Sequence, residues 1–224
     1  MGSFGFLRGD SSDRIDRIEE KVRQMLVHDR HEFDLAMSAL LGDVPARSVN
    51  DELRSTDQKV NQAEREIRRE LVVHASVFGA IEIPTVLIYM SIVKDVERVG
   101  DYAKNIIDIA LDGVTFAEAP DIEAWRELAA EISAFIRDAA DAFQKRDGER
   151  SRALLTQGDR MLDAFDDRVS ALVKGEDAQP NPVARALVLR YIKRVVAHLL
   201  NVLTAVVMPI HRLDYFDEDP EDRT

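Results

Sequence analysis

Apolar residues recur at three- and four-residue steps along almost the whole chain, a periodicity that long amphipathic helices satisfy and strands do not. Ile15, Ile18, Val22, Met25, Leu26, Phe33, Ala36 and Leu40 form the first such row. With Ser12 or Asp13 as N-cap, the spacing predicts a helix over about 12–41, broken by GDVP. Further helices are predicted over about 46–76, 84–112, 122–146, 148–174 and 182–210. Pro84 and Pro182 suit helix starts, Gly113 suits a helix end, and GVTFAEAPD and GEDAQPNP read as connections.

The helices repeat as a set. Asp57, Asn61, Glu64 and Ile67 in the second helix recur as Asp159, Asp163, Asp166 and Val169 in the fifth, and Phe33 recurs as Phe135 at the same offset. Pro84, Arg98 and Asn105 recur as Pro180, Arg194 and Asn201 after a shorter connection. The expected fold is therefore all-α: a six-helix bundle of two tandem three-helix repeats, residues 12–113 and 121–213. Residues 1–11 are expected to form a flexible leader and 214–224 an acidic tail. The FGFL of the leader suits local hydrophobic docking, with an interfacial anchor as the alternative.

Composition narrows the function. A net charge of −12 argues against a nucleic-acid binder, and the absence of cysteine excludes disulfides and thiolate zinc sites. The longest apolar run, 81–93, is interrupted by Glu82 and Pro84 and is too short for a bilayer span, so a cytoplasmic protein is expected. There is no phosphate-cradling Gly loop, nucleophile elbow or metalloprotease motif, and the chain is not expected to be an enzyme.

The polar residues are more telling. On the third helix Glu97, Asp101, Asn105 and Asp108 fall within an arc of roughly 80°, opposite Ile92, Val96, Val99, Ala103, Ile106 and Ile107. Asp57, Asn61, Glu64 and Arg68 make a similar row on the second helix, so the two rows can border one seam. Stacked carboxylates repel and need a cation. Arg98 and Lys94 can supply it, giving a salt-bridged face; a bound divalent or ferric ion on Glu97 and Asp101 is the other reading. His28 and His31 lie three apart near Asp29 and Glu32, a spacing compatible with metal binding, but polar side chains facing solvent in mid-helix are the simpler reading. Trp125, with Leu128 and Ile132, reads as packing.

DVERVGDYAKNIIDIA, residues 95–110, resembles the signature of the PhoU family of phosphate-uptake regulators. Asp95, Glu97, Arg98, Gly100, Asp101, Ala103, Asn105, Ile106 and, more loosely, Asp108 carry the match. The Asp57, Asn61, Glu64, Ile67 row and the repeated three-helix plan are also similar to that family. The resemblance implies metal ions on E/D-x-x-x-D motifs: Glu97 and Asp101 first, then Asp57, Asn61, Glu64, Asn105 and Asp108. It implies a regulator of phosphate transport and signalling, with a transporter's ATPase subunit or membrane domain and a sensor histidine kinase as partners. The chain would then be peripheral to the membrane through those partners, and apolar seams suggest a homodimer. A regulator of another ion's transporter, or a metal-binding scaffold or enzyme, are the alternatives.

The second repeat departs from the signature. Lys193, Ala197, His198 and Thr204 stand where the first repeat has Glu97, Asp101, Tyr102 and Asp108. His198 is expected as a hydrogen-bonded packing residue rather than a ligand. The acidic row Asp159, Asp163, Asp166 and Asp167 is expected to pair with Lys193 or Arg194. The patch Leu213, Tyr215, Phe216 is expected either to pack on the bundle or to form a dimer contact.

Overall fold

Breakers and caps divide the chain where the periodicity stops. In the computed structural model, residues 3–177 and 179–213 are described, with backbone alone for 3–10. Six helices follow in order: α1 (Ser3–Leu40), α2 (Ala46–Phe78), α3 (Ile83–Leu111), α4 (Ile122–Gln144), α5 (Gly148–Lys174) and α6 (Pro182–Val207). Short 3-10 turns lie at Gly79–Glu82 and Ile210–Arg212. No strand occurs among the described residues. The Asp147 side chain caps α5 by accepting from the Arg150 amide, and Gly175 closes that helix in the left-handed region at φ 72°.

Three boundaries differ from the periodicity. α1 starts at Ser3, so the expected leader continues the helix and Ser12 and Asp13 lie inside it; the isolated Gly5 and Gly9 do not suffice to break it. α6 ends at Val207 because Met208, which precedes Pro209, is forced into extended backbone at ψ 151°. α4 stops at Gln144, before the positive-φ residue Arg146. The expected tail, with Tyr215 and Phe216, lies outside the described residues. Leu213 itself is buried, and its carbonyl accepts from the Thr204 hydroxyl.

Within the first unit α2 runs back along α3, and α1 lies parallel to α3, with Glu19 beside Tyr89 and Glu32 beside Gly100. The two units meet through antiparallel pairs. In α1/α4, Arg30 donates to Ser133; in α3/α6, Asp95 meets His198 while Tyr102 stacks near Tyr191. Val22, Phe33, Val99, Ile106, Ile136, Val195 and Leu199 lie in one continuous apolar core. Gly158 lets α5 approach α6 closely: a Cβ there would sit 2.4 Å from Leu200 Cδ2.

The connection between the units is clasped rather than loose. Phe116 is buried against Trp125, and its amide donates to the Leu40 carbonyl. Arg185, 2% exposed, donates to both oxygens of Asp121 at 2.7 and 2.8 Å and to the Pro180 carbonyl. Its guanidinium lies over Phe116 and Trp125, so Trp125 is a packing residue.

One part of the fold is left uncovered. An 18-residue window within Ala46–Leu111 has mean hydropathy 1.9, long and apolar enough by composition for a bilayer, yet only 17% of it is buried. That corrects the reading of 81–93 as the limiting run, because the end of α2 adds Val72, Val73 and Val77. The Gly79–Glu82 corner folds the window into a hairpin instead of one straight span.

Candidate functional site: the acidic seam of the α2/α3 hairpin

The antiparallel register of α2 and α3 sets Arg54 against Asp108 and Asp57 against Lys104, and brings Glu64 near Glu97. The two polar rows therefore border one seam. Lys104 closes its middle, with its ammonium 2.6 Å from Asp57 and 2.7 Å from Asp101. Asn61 donates to Asp57 at 3.0 Å, Arg68 pairs with Glu64 at 2.9 Å, and Arg98 pairs with Asp101 at 2.9 Å. Asp108 is engaged by Arg54, and Asn105 is half-buried beside it on α3. Lys94, expected as a compensating cation, makes no ion pair among the described residues; Lys104 and Arg54 take that role. Residue 104 lies three beyond Asp101, within reach of both acidic rows, whereas Lys94 shares the arc but lies a turn before Glu97, off the end of the acidic row.

Behind the seam lies what the sequence reading missed. Asp29 and Glu32 are fully buried, contrary to the expectation that they face solvent, and none of their four carboxylate oxygens has a hydrogen-bond partner. They lie against Gly100, where a Cβ would be 2.9 Å from Asp29 Oδ1 and 3.3 Å from Glu32 Oε2. The glycine of the signature thus makes room for two acids of α1. The neighbouring histidines stay near the surface, with His31 2.8 Å from Glu52.

The electrostatics follow from that burial. Loss of water, then the negative charges of Glu32, Glu97, Asp57 and Asp101, push the Asp29 carboxyl far above the ordinary range. Burial, then the charge of Asp57, raises Glu32 to about 8. Glu97 is raised too, by burial first and then by Asp101. Burial pulls the Lys104 ammonium down, but hydrogen bonds to Asp101 and Asp57 outweigh it and hold its pKa above the usual value. Among the described residues no three His, Asp or Glu side chains converge as metal ligands. The seam is a region of excess negative charge with a lysine across its middle.

The second unit spends the corresponding positions on packing. His198 holds Asp95 at 2.8 Å, Asn201 donates to the same oxygen at 3.3 Å, and Arg194 reaches Tyr102 and His198. Asp95 of the signature is therefore an inter-unit contact, not a seam residue. Asp166 pairs with Lys193, with Arg190 3.7 Å away.

Tandem three-helix units, with one acidic hairpin seam and its degraded copy, define a helical-bundle protein built around a charged face. Residues 15–110, covering most of α1, all of α2 and all but the last residue of α3, match the PhoU domain. A phosphate-specific transport system accessory protein PhoU homolog of Deinococcus radiodurans is 26% identical over 199 residues, covering 86% of this chain and 85% of that protein. A protein of the same description from Pseudomonas putida is 26% identical over 172 residues, covering 73% of this chain and 66% of that protein. The crystal structure of PhoU from Pseudomonas aeruginosa shares the fold, with a TM-score of 0.73 at 20% identity over 89% of this chain and 98% of that one. The first unit is thus similar to the PhoU domain, and the chain as a whole shares the fold of a PhoU protein.

Proposed function

We propose that this chain is a regulatory accessory protein of a phosphate transport system. It acts from the cytoplasm, as a homodimer, by docking on the transporter's ATPase or membrane subunit and on a sensor histidine kinase. Supporting this reading are the PhoU domain in the first unit and the near full-length likeness to a protein described as a phosphate-specific transport accessory protein. The acidic seam along α2 and α3 is the observation that carries it. A basic partner surface competes with Lys104 for Asp57 and Asp101, so that docking and opening of this bridge are coupled.

The same competition can be won by a divalent or ferric cation. Four unpartnered carboxylate oxygens behind the seam and three carboxyls with raised pKa values fit a missing positive charge. Glu97 and Asp101 would hold the ion first, with Asp57 and Glu64 across the seam and Asn61, Asn105 and Asp108 flanking. The ion would supply charge that lets these carboxyls stay ionised.

Two measurements test the proposal. Protein purified without chelator or affinity metal is expected to carry stoichiometric metal that is lost in Glu97→Ala/Asp101→Ala. Lys104→Met should bind metal roughly tenfold more tightly, since one competing charge is gone. Protein with no metal in either form leaves a plain salt-bridged seam. Affinity capture from cells shifted between phosphate-rich and phosphate-poor medium should recover a transporter or kinase component. Capture of neither in both media contradicts the docking role.

A further inference from the structure

The α2/α3 hairpin ends in an apolar tip that no part of the described chain covers. Val72, Val73, Val77, Ile81, Ile83 and Leu87 are all exposed, Ile81 by 77%. Between Glu70 and Lys94 the only carboxylate is Glu82, and its Oε2 lies 3.5 Å from Nε2 of the buried His74. The one carboxylate of the tip is thus turned against a buried imidazole, its side chain 25% exposed.

The distribution of these residues discriminates between occupants. On the α2 arm Val72, Val73 and Val77 spread over about 140° instead of forming one stripe. Ile81 caps the corner, and Ile83 and Leu87 carry the apolar surface onto α3. A partner helix or a second copy would cover one side of such a tip; a lipid phase surrounds it. The arm from Val72 to Ile81 is about 14 Å long, close to half of the ~30 Å hydrocarbon core, so the hairpin can enter one leaflet without crossing the bilayer.

Charge at the base of the tip agrees. Arg65, Arg69 and Lys94 are exposed and make no ion pair among the described residues, whereas the acids around them are engaged. Glu64 pairs with Arg68, Glu66 and Glu70 with Lys21, and Asp95 with His198. Three unpaired cations behind an apolar wedge sit at headgroup depth once the wedge is buried. The net charge of −12 repels the rest of the molecule from an anionic surface, which orients this end towards it. The same end carries the start of α1, whose sequence there reads Phe4-Gly5-Phe6-Leu7.

We propose that the α2/α3 tip is a direct membrane anchor that inserts shallowly into an anionic lipid surface, independently of any protein partner. The test is co-sedimentation of the full chain with vesicles of phosphatidylcholine and phosphatidylglycerol at 3:1. The chain should bind, Val77→Asp/Ile81→Asp should bind at least tenfold more weakly, and Arg69→Glu/Lys94→Glu should bind several-fold more weakly. All four positions are exposed, so the variants should keep the parent's melting temperature. Because the chain has no cysteine, Ile81→Cys takes a single environment-sensitive dye whose emission should shift to the blue on these vesicles. Absence of vesicle binding by the parent, unchanged binding by the tip variant, or an unshifted dye would overturn the proposal. So would a solution dimer that the tip variant dissociates while the parent ignores vesicles, which would assign the tip to a second copy.

Discussion

Replacing Arg185 with alanine is expected to lower the stability of the chain by about 3–5 kcal/mol, because it strands Asp121 and opens a void between two aromatic rings. The guanidinium is buried, donates to both Asp121 oxygens and the Pro180 carbonyl, and lies 5.2 and 5.7 Å from the Phe116 and Trp125 ring centres. Lysine retains the charge but not the fork, so Arg185→Lys should recover little. Arg185 hydrogen bonds hold the Asp121 pKa below its usual value, so the pair contributes stability above the ordinary carboxylate range that is lost as pH falls through the depressed value. Urea unfolding at pH 7 and pH 3 reads both effects. A loss below about 1 kcal/mol at pH 7 would mean that the clasp is not a unit.

The opposite sign is expected at Glu32. Its folded pKa of about 8 lies above the ordinary carboxyl value of 4.5, so folding takes up a proton between those values and stability falls as pH rises through the window. Glu32→Met, which keeps the volume and removes the charge, should stabilise metal-free protein by about 2–4 kcal/mol above pH 8. The advantage should shrink towards zero near pH 4.5. Thermal unfolding of both proteins across pH 4.5–9 measures the gap. A constant gap would show that Glu32 is not carried neutral in the folded state.

Much of the fold is legible because each helix states its own core face. Val22, Met25, Leu26, Phe33 and Ala36 recur at three- and four-residue steps, and the breakers GDVP and GEDAQPNP stand between such rows. The start of α1 was not legible, since Gly5 and Gly9 oppose the helix in residues 3–11 and yet are tolerated within it. In the seam, Asp57, Asn61, Glu64, Glu97 and Asp101 could be assigned to faces from spacing alone. Lys104 could not be singled out, because a helix row shows which side a residue faces but not which neighbour it reaches.

Asp29 and Glu32 are a different case. They occupy the apolar stripe itself, in step with Val22, Met25 and Ala36, so their burial was written in the periodicity. Residue type pulled the reading towards the surface, since carboxylates are rarely buried without partners. Gly100 carries the complementary signal, a helix-interior glycine where a close approach is needed. In the second unit His198, Asn201 and Arg194 are committed instead to Asp95 and Tyr102 across α3/α6.

The proposed regulation of phosphate transport through the α2/α3 seam is tested most directly by uptake of labelled phosphate. Cells carrying the wild-type chain, no chain, or Asp57→Asn/Asp101→Asn would be moved from phosphate-poor to phosphate-rich medium. Uptake should follow external phosphate in the wild type and fail to follow it in both other strains, provided the variant accumulates to wild-type levels. Uptake in the strain without the chain that is indistinguishable from wild type in both media would contradict the account.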